Sequence, residues 1–153
     1  MQEPFSLHED ESRNKQPYNV FGMPVYLKTA GSDTDGQYAM FTAEHAKHQG
    51  PPLHRHDIDE TFYILAGEFL FQIGENRYTA VAGDTLFIPR DMPHAYLTLS
   101  DLGTLLFVVS PSARVEQLFA SYNSFDNATS MDEIMRVSIE LGCPILGPPL
   151  SNG

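Results

Sequence analysis

Three histidines and one glutamate carry the clearest chemistry in the sequence. In Pro51-Pro52-Leu53-His54-Arg55-His56 an extended chain alternates its side chains, so His54 and His56 point one way and Arg55 the other. Glu60 keeps the same parity at the entrance to Thr61-Phe62-Tyr63-Ile64-Leu65. His94 follows a turn fixed by Pro89, Asp91 and Pro93 and opens another strand-like run. If the two runs lie side by side, three neutral imidazoles and a carboxylate meet at one interior point. That donor set suits one divalent transition ion (iron, manganese, cobalt, nickel, copper or zinc), whereas calcium and magnesium prefer more oxygen ligands. The remaining histidines, His8, His45 and His48, lack this spacing and read as solvated.

The elements that must position these residues are short runs rich in Phe, Tyr, Ile, Leu, Val and Thr, separated by Gly, Pro, Asn and Asp. They cover about 19–29, 37–46, 61–66, 69–73, 77–81, 85–88, 94–99 and 104–109, which predicts an all-β sandwich or barrel closed through hairpins. After Ser110 the period changes to that of a helix, with Val115, Leu118, Phe119 and Tyr122 on one stripe and Pro111 read as a first-turn residue. A second helix starts at the capping box Ser130-Met131-Asp132-Glu133 and stops at Gly142. The chain therefore divides into an N-terminal arm (1–17), a β domain (18–110) and a helical extension (111–153) whose apolar stripes are expected on the barrel exterior. The arm is expected to be flexible or to add a strand at a sheet edge.

With 153 residues there is room for one domain, and 42% hydrophobic residues with 17 aromatics indicate a packed core. Twenty acidic residues against nine basic ones give a net charge of -11, which repels nucleic acid and anionic lipid. No run is long and apolar enough to span a membrane and no secretory signal is evident, so one unpaired cysteine, Cys143, fits a cytoplasmic setting. Asn127-Ala128-Thr129 matches a glycosylation acceptor, without meaning in that setting. Because Phe62 to Leu65 is apolar on both faces, the outer face needs a cover, and a homodimer is expected.

These residues resemble the cupin superfamily. Its first motif pairs His-x-His with a following Glu and Gly, here His54, Arg55, His56, Glu60 and Gly67. Its second runs from Gly through Pro to His, here Gly83-Asp84-Thr85-Leu86-Phe87-Ile88-Pro89 and His94. His48 and Asp91 stand where the family has Gly, and Thr98 stands where it has Asn. The resemblance implies a double-stranded β-helix (jelly-roll barrel) with one metal ion on His54, His56, Glu60 and His94. The two C-terminal helices are similar to those of small single-domain cupins described as quercetin dioxygenase-like. That likeness implies a metal-dependent dioxygenase for a small enolisable or phenolic, flavonol-like molecule, with Glu60 as ligand and catalytic base. Isomerases, lyases and non-catalytic sensors share the fold.

Arg55, Arg77 and Arg90 are the only cations between Gly50 and Ser110, too few for a phosphosugar or polycarboxylate pocket. Phe62 and Tyr96 share strand parity with Glu60 and His94 and are the candidate walls of an apolar pocket.

Overall fold

The computed structural model describes residues 2–151. The chain runs β1 (Tyr18–Val20), β2 (Met23–Thr29), β3 (Ala39–Ala46), β4 (Pro52–His54), β5 (Asp59–Ala66), β6 (Glu68–Ile73), β7 (Asn76–Val81), β8 (Thr85–Ile88), β9 (His94–Thr98), β10 (Leu102–Ser110), α1 (Val115–Ser124), α2 (Met131–Glu140) and β11 (Ile145–Pro149). Strands β1-β2-β3-β10-β5-β8 form one sheet and β11-β4-β9-β6-β7 the other. Antiparallel pairing within both sheets makes the cupin-type double-stranded β-helix.

Strict alternation builds this sandwich. In β10 every second residue from Gly103 to Val109 is buried, and in β5 Glu60, Phe62 and Ile64 face inward while Thr61, Tyr63 and Leu65 face out. Phe41, Phe62, Phe69, Phe71, Tyr96 and Phe107 fill the interior. Phe41 stacks on Phe107 at 5.0 Å between ring centroids, and Phe62 meets Phe71 edge-on at 5.2 Å. Truncating one such ring to alanine costs about 3–5 kcal/mol.

Several boundaries differ from the sequence reading. The run 19–29 is two strands, because Phe21 and Gly22 adopt φ of 54° and 85° and close a two-residue hairpin loop with Val20 opposite Met23. Pro111 lies outside α1, which begins four residues later behind Arg114. The second helix obeys its signals: the Ser130 hydroxyl accepts the Glu133 N–H at 3.1 Å, and Gly142 ends the helix at φ 83°. The first three residues of the Pro52-Leu53-His54-Arg55-His56 segment form β4, and the Gly-Pro tail returns as β11 to pair with it.

Helix α1 does not lie on the outer face of the sheet. Phe119 of α1 packs edge-on against Phe41 at 5.1 Å and against Phe107 at 6.2 Å, two side chains of the barrel interior. Helix α1 thus closes the barrel mouth. Among the described residues the N-terminal arm adds no strand; Arg13 N–H donates to Leu27 O at 2.6 Å, and the Lys28 ammonium donates to the carbonyls of His8, Glu9 and Glu11.

Candidate metal centre

Local backbone geometry brings the two motifs together. His54 of β4 pairs directly with His94 of β9. Gly50 allows this approach, since a Cβ there would lie 1.8 Å from Tyr96 O. Asp91 takes φ 65° and donates its N–H to His56 O at 2.7 Å, tying the turn before His94 to the segment after His54. His48 likewise adopts φ 69°, so both positions where the sequence departs from the family's glycine keep the left-handed backbone. Thr98 Oγ1 donates to Gln49 O at 2.9 Å and fixes the chain leading into β4.

One ring nitrogen from each of His54, His56 and His94 lies within 4.8 Å of the other two. Glu60 Oε1 is 3.2 Å from His94 Nε2 and 3.4 Å from His56 Nε2. Each imidazole turns Nδ1 toward a backbone carbonyl two residues away: Pro52 O at 2.7 Å for His54, Ile58 O at 3.2 Å for His56 and Met92 O at 2.9 Å for His94. A carbonyl only accepts, so the proton of each neutral ring resides on Nδ1 and Nε2 carries a bare lone pair. With all three rings neutral, three lone pairs and a carboxylate converge with no donor among them, and only an added proton lets His56 or His94 hydrogen-bond to Glu60. One cation satisfies all four, so the donor set fits a divalent transition ion.

The electrostatics agree with that arrangement. Burial, reinforced by His94 and His56, pushes His54 down to about 3, so its ring is neutral at any physiological pH. Burial opposes the charge of Glu60, but hydrogen bonds and charge from His56 and His94 hold its carboxyl well below the usual carboxylate range. His56 is disfavoured as a cation by burial and favoured by Glu60, and the balance raises it. Without a metal, a proton between His56 and Glu60 relieves only part of the crowding.

Three of the four donors, His54, His56 and Glu60, open onto a cavity of about 240 Å³, lined also by Val115, Leu118 and Phe119 of α1 and by residues 141–143 and Ile145. Sequence reasoning missed this wall, because nothing in an amphipathic stripe says which part of a barrel it covers. Phe62 and Tyr96 are not among the lining residues; they are 3% and 6% exposed and pack on each other at 5.6 Å in the aromatic interior. Cys143 does line the cavity, and burial, aided by the Glu60 charge, pushes its thiol up to about 12, which leaves it unreactive.

His45 is a correction to the solvated reading: it is 2% exposed, and its Nε2 shares a 2.7 Å hydrogen bond with the Tyr96 hydroxyl. It takes no part in the donor cluster. The signal was present in β3, where His45 has the inward parity of Phe41 and Ala43.

The fold and the convergent donors define a cupin barrel with a candidate metal centre. In agreement, residues 41–110, which contain all four donors, match the cupin domain family. No curated protein matches the chain by sequence. Among solved structures, an RmlC-like cupin from Shewanella frigidimarina is 19% identical, with 75% of this chain and 96% of that chain covered and a TM-score of 0.62. A predicted oxalate decarboxylase from Thermotoga maritima is 18% identical, with 70% and 99% covered and a TM-score of 0.62. KdgF from Halomonas sp. is 15% identical, with 59% and 79% covered and a TM-score of 0.54. Residues 41–110 thus resemble the cupin domain, and these structures share the fold. Among the described residues no helix is long and apolar enough to cross a membrane.

Proposed function

We propose that this protein is a metal-dependent dioxygenase acting on a small enolisable or phenolic molecule. The observation that carries the reading is the convergence of three imidazole nitrogens and an ionised carboxylate beside a partly open, largely apolar cavity. His54, His56, Glu60 and His94 would hold the ion. When bound, a divalent transition ion supplies Lewis acidity to a substrate oxygen and, if redox-active, an electron path between substrate and dioxygen.

The chain's own groups account for the rest of the site. Carbonyls of Pro52, Ile58 and Met92 fix the imidazole orientations, so the donor geometry exists before substrate arrives. Glu60, ionised and 6% exposed, is placed to accept the enol or phenol proton at a carboxylate oxygen. Leu118, Phe119 and Val115 exclude water from the same space. Both oxygen atoms enter the product, so the reaction needs no external reductant.

A cavity of about 240 Å³ falls below the roughly 300–1,000 Å³ of sites for drug-sized ligands. It favours a single-ring or short-chain substrate over a three-ring flavonol. We further infer a homodimer in the reducing cytoplasm. Tyr63, Leu65 and Phe87 remain 43%, 44% and 59% exposed on the outer face of the six-stranded sheet, which neither helix covers, and a second subunit is the fitting cover.

Dioxygen consumption by metal-loaded protein against a panel of enolisable and phenolic compounds tests the activity. Uptake in a one-to-one ratio with product, abolished in Glu60→Gln, is expected. Product formed under anaerobic conditions would instead identify an isomerase or lyase, and retained metal with no turnover across the panel would identify a sensor.

A further inference from the structure

The cavity beside the donor cluster is walled by aliphatic and aromatic side chains, yet one cation lines it. Arg114, the residue before α1, is the single Lys or Arg among its described lining residues. Arg114 is exposed, and its Nη1 donates to Glu140 O at 2.7 Å, at the end of α2, which leaves its other N–H groups uncommitted to that bond. The charge is also without a carboxylate partner. Arg13, Arg55, Arg90 and Arg136 each pair with an acid, whereas among the described residues none lies within ion-pair distance of Arg114. Arg77 and the three lysines also lack an acid partner among the described residues, but none of them lines this cavity. The lining acids are Asp57 and Glu60, and Glu60 is already engaged by His56 and His94.

We propose that Arg114 is the carboxylate-binding residue of this cavity, and that the substrate is a small monocarboxylate whose enolisable or phenolic oxygen lies at the other end of the molecule. This rests on the metal-centre reading for the oxygen end only. A guanidinium fork receives a carboxylate through two parallel hydrogen bonds and discriminates strongly against a neutral isostere. The limited volume, equivalent to about eight waters at their liquid share of space, restricts the remainder of the substrate to about one ring.

Isothermal titration with 4-hydroxybenzoate and its neutral amide, on metal-free and metal-loaded protein, tests the assignment. Wild-type protein is expected to prefer the carboxylate by about tenfold to a hundredfold. Arg114→Gln is expected to erase that preference while leaving the amide affinity unchanged. Arg114→Lys, which keeps the charge but loses the fork, is expected to retain part of it and serves where the Gln variant fails to fold. Equal wild-type affinities, absence of carboxylate binding, or a preference that survives in Arg114→Gln would overturn the assignment, as would an effect limited to stability through the bond to Glu140. A carboxylate preference that depends on Arg114 in protein unable to bind metal would uphold it and refute the dioxygenase reading instead.

Discussion

His45 and Tyr96 place one polar pair inside an otherwise aromatic interior. Burial pushes His45 down to about 4 from its ordinary 6.5, and its Nδ1 has no partner. Below pH 6.5 the unfolded chain gains a proton at this position that the folded chain refuses, so stability is full above 6.5 and falls as pH drops toward 4. The loss attributable to His45 is about 3 kcal/mol. His45→Gln, which still offers Tyr96 an acceptor, should gain on the wild type by that order between pH 7 and pH 4 in denaturant unfolding. Asp91 is the other instructive residue. Its left-handed backbone costs a non-glycine residue about 1–2 kcal/mol, so Asp91→Gly should raise the melting temperature slightly and leave metal content intact. The donor residues themselves were legible in the sequence, since parity along an extended chain fixes direction without knowledge of the partner strand. Burial of His45 was legible by the same rule, but a histidine in a strand was weighed by its neighbours in sequence and not by its face.

At the scale of elements, the donor cluster depends on strands too short to stand alone. Strand β4 has three residues and touches β9 at a single registered pair, His54 with His94. Its other edge is held by β11, where Ile145 lies opposite His54, and Arg55 N–H donates to Pro144 O at 3.3 Å. The C-terminal tail is thus a support for the centre. A chain ending at Cys143 should keep its β-rich circular dichroism yet lose metal affinity about 10–100-fold, the usual cost of removing a group that orients a ligand, as measured by competition with a chromophoric chelator. This role was hidden from the sequence: Gly147, Pro148 and Pro149 suit an irregular tail as well as an edge strand, and β4 is shorter than any periodicity can reveal. Hairpin strands such as β6 and β7, and the Ser130 cap of α2, were legible because their partners are local.

For the whole molecule, the net charge and the exposed sheet face act together. A charge of -11 keeps copies apart unless a specific contact outweighs it. The outer face presents Leu106 beside Tyr63 and Phe87 beside Thr61, apolar side chains interspersed with threonines across β10, β5 and β8. Phe87→Lys should convert a dimer to a monomer in light scattering at micromolar concentration, with the melting profile of the isolated barrel retained. A wild-type monomer would refute the shared face. The apolar run Phe62 to Leu65 predicts a cover for this face, but the sequence did not show that α1 is occupied elsewhere, packing through Phe119 on Phe41 and Phe107.

Four side chains from two distant segments are expected to hold one transition ion. Elemental analysis of protein expressed in metal-replete medium and purified without a histidine tag measures it directly. About one equivalent of a single transition metal per chain is expected for the wild type, falling below about a tenth of that in His54→Ala and in His94→Ala while both variants remain folded. A folded wild type devoid of metal, or variants that retain as much as the wild type, would contradict it.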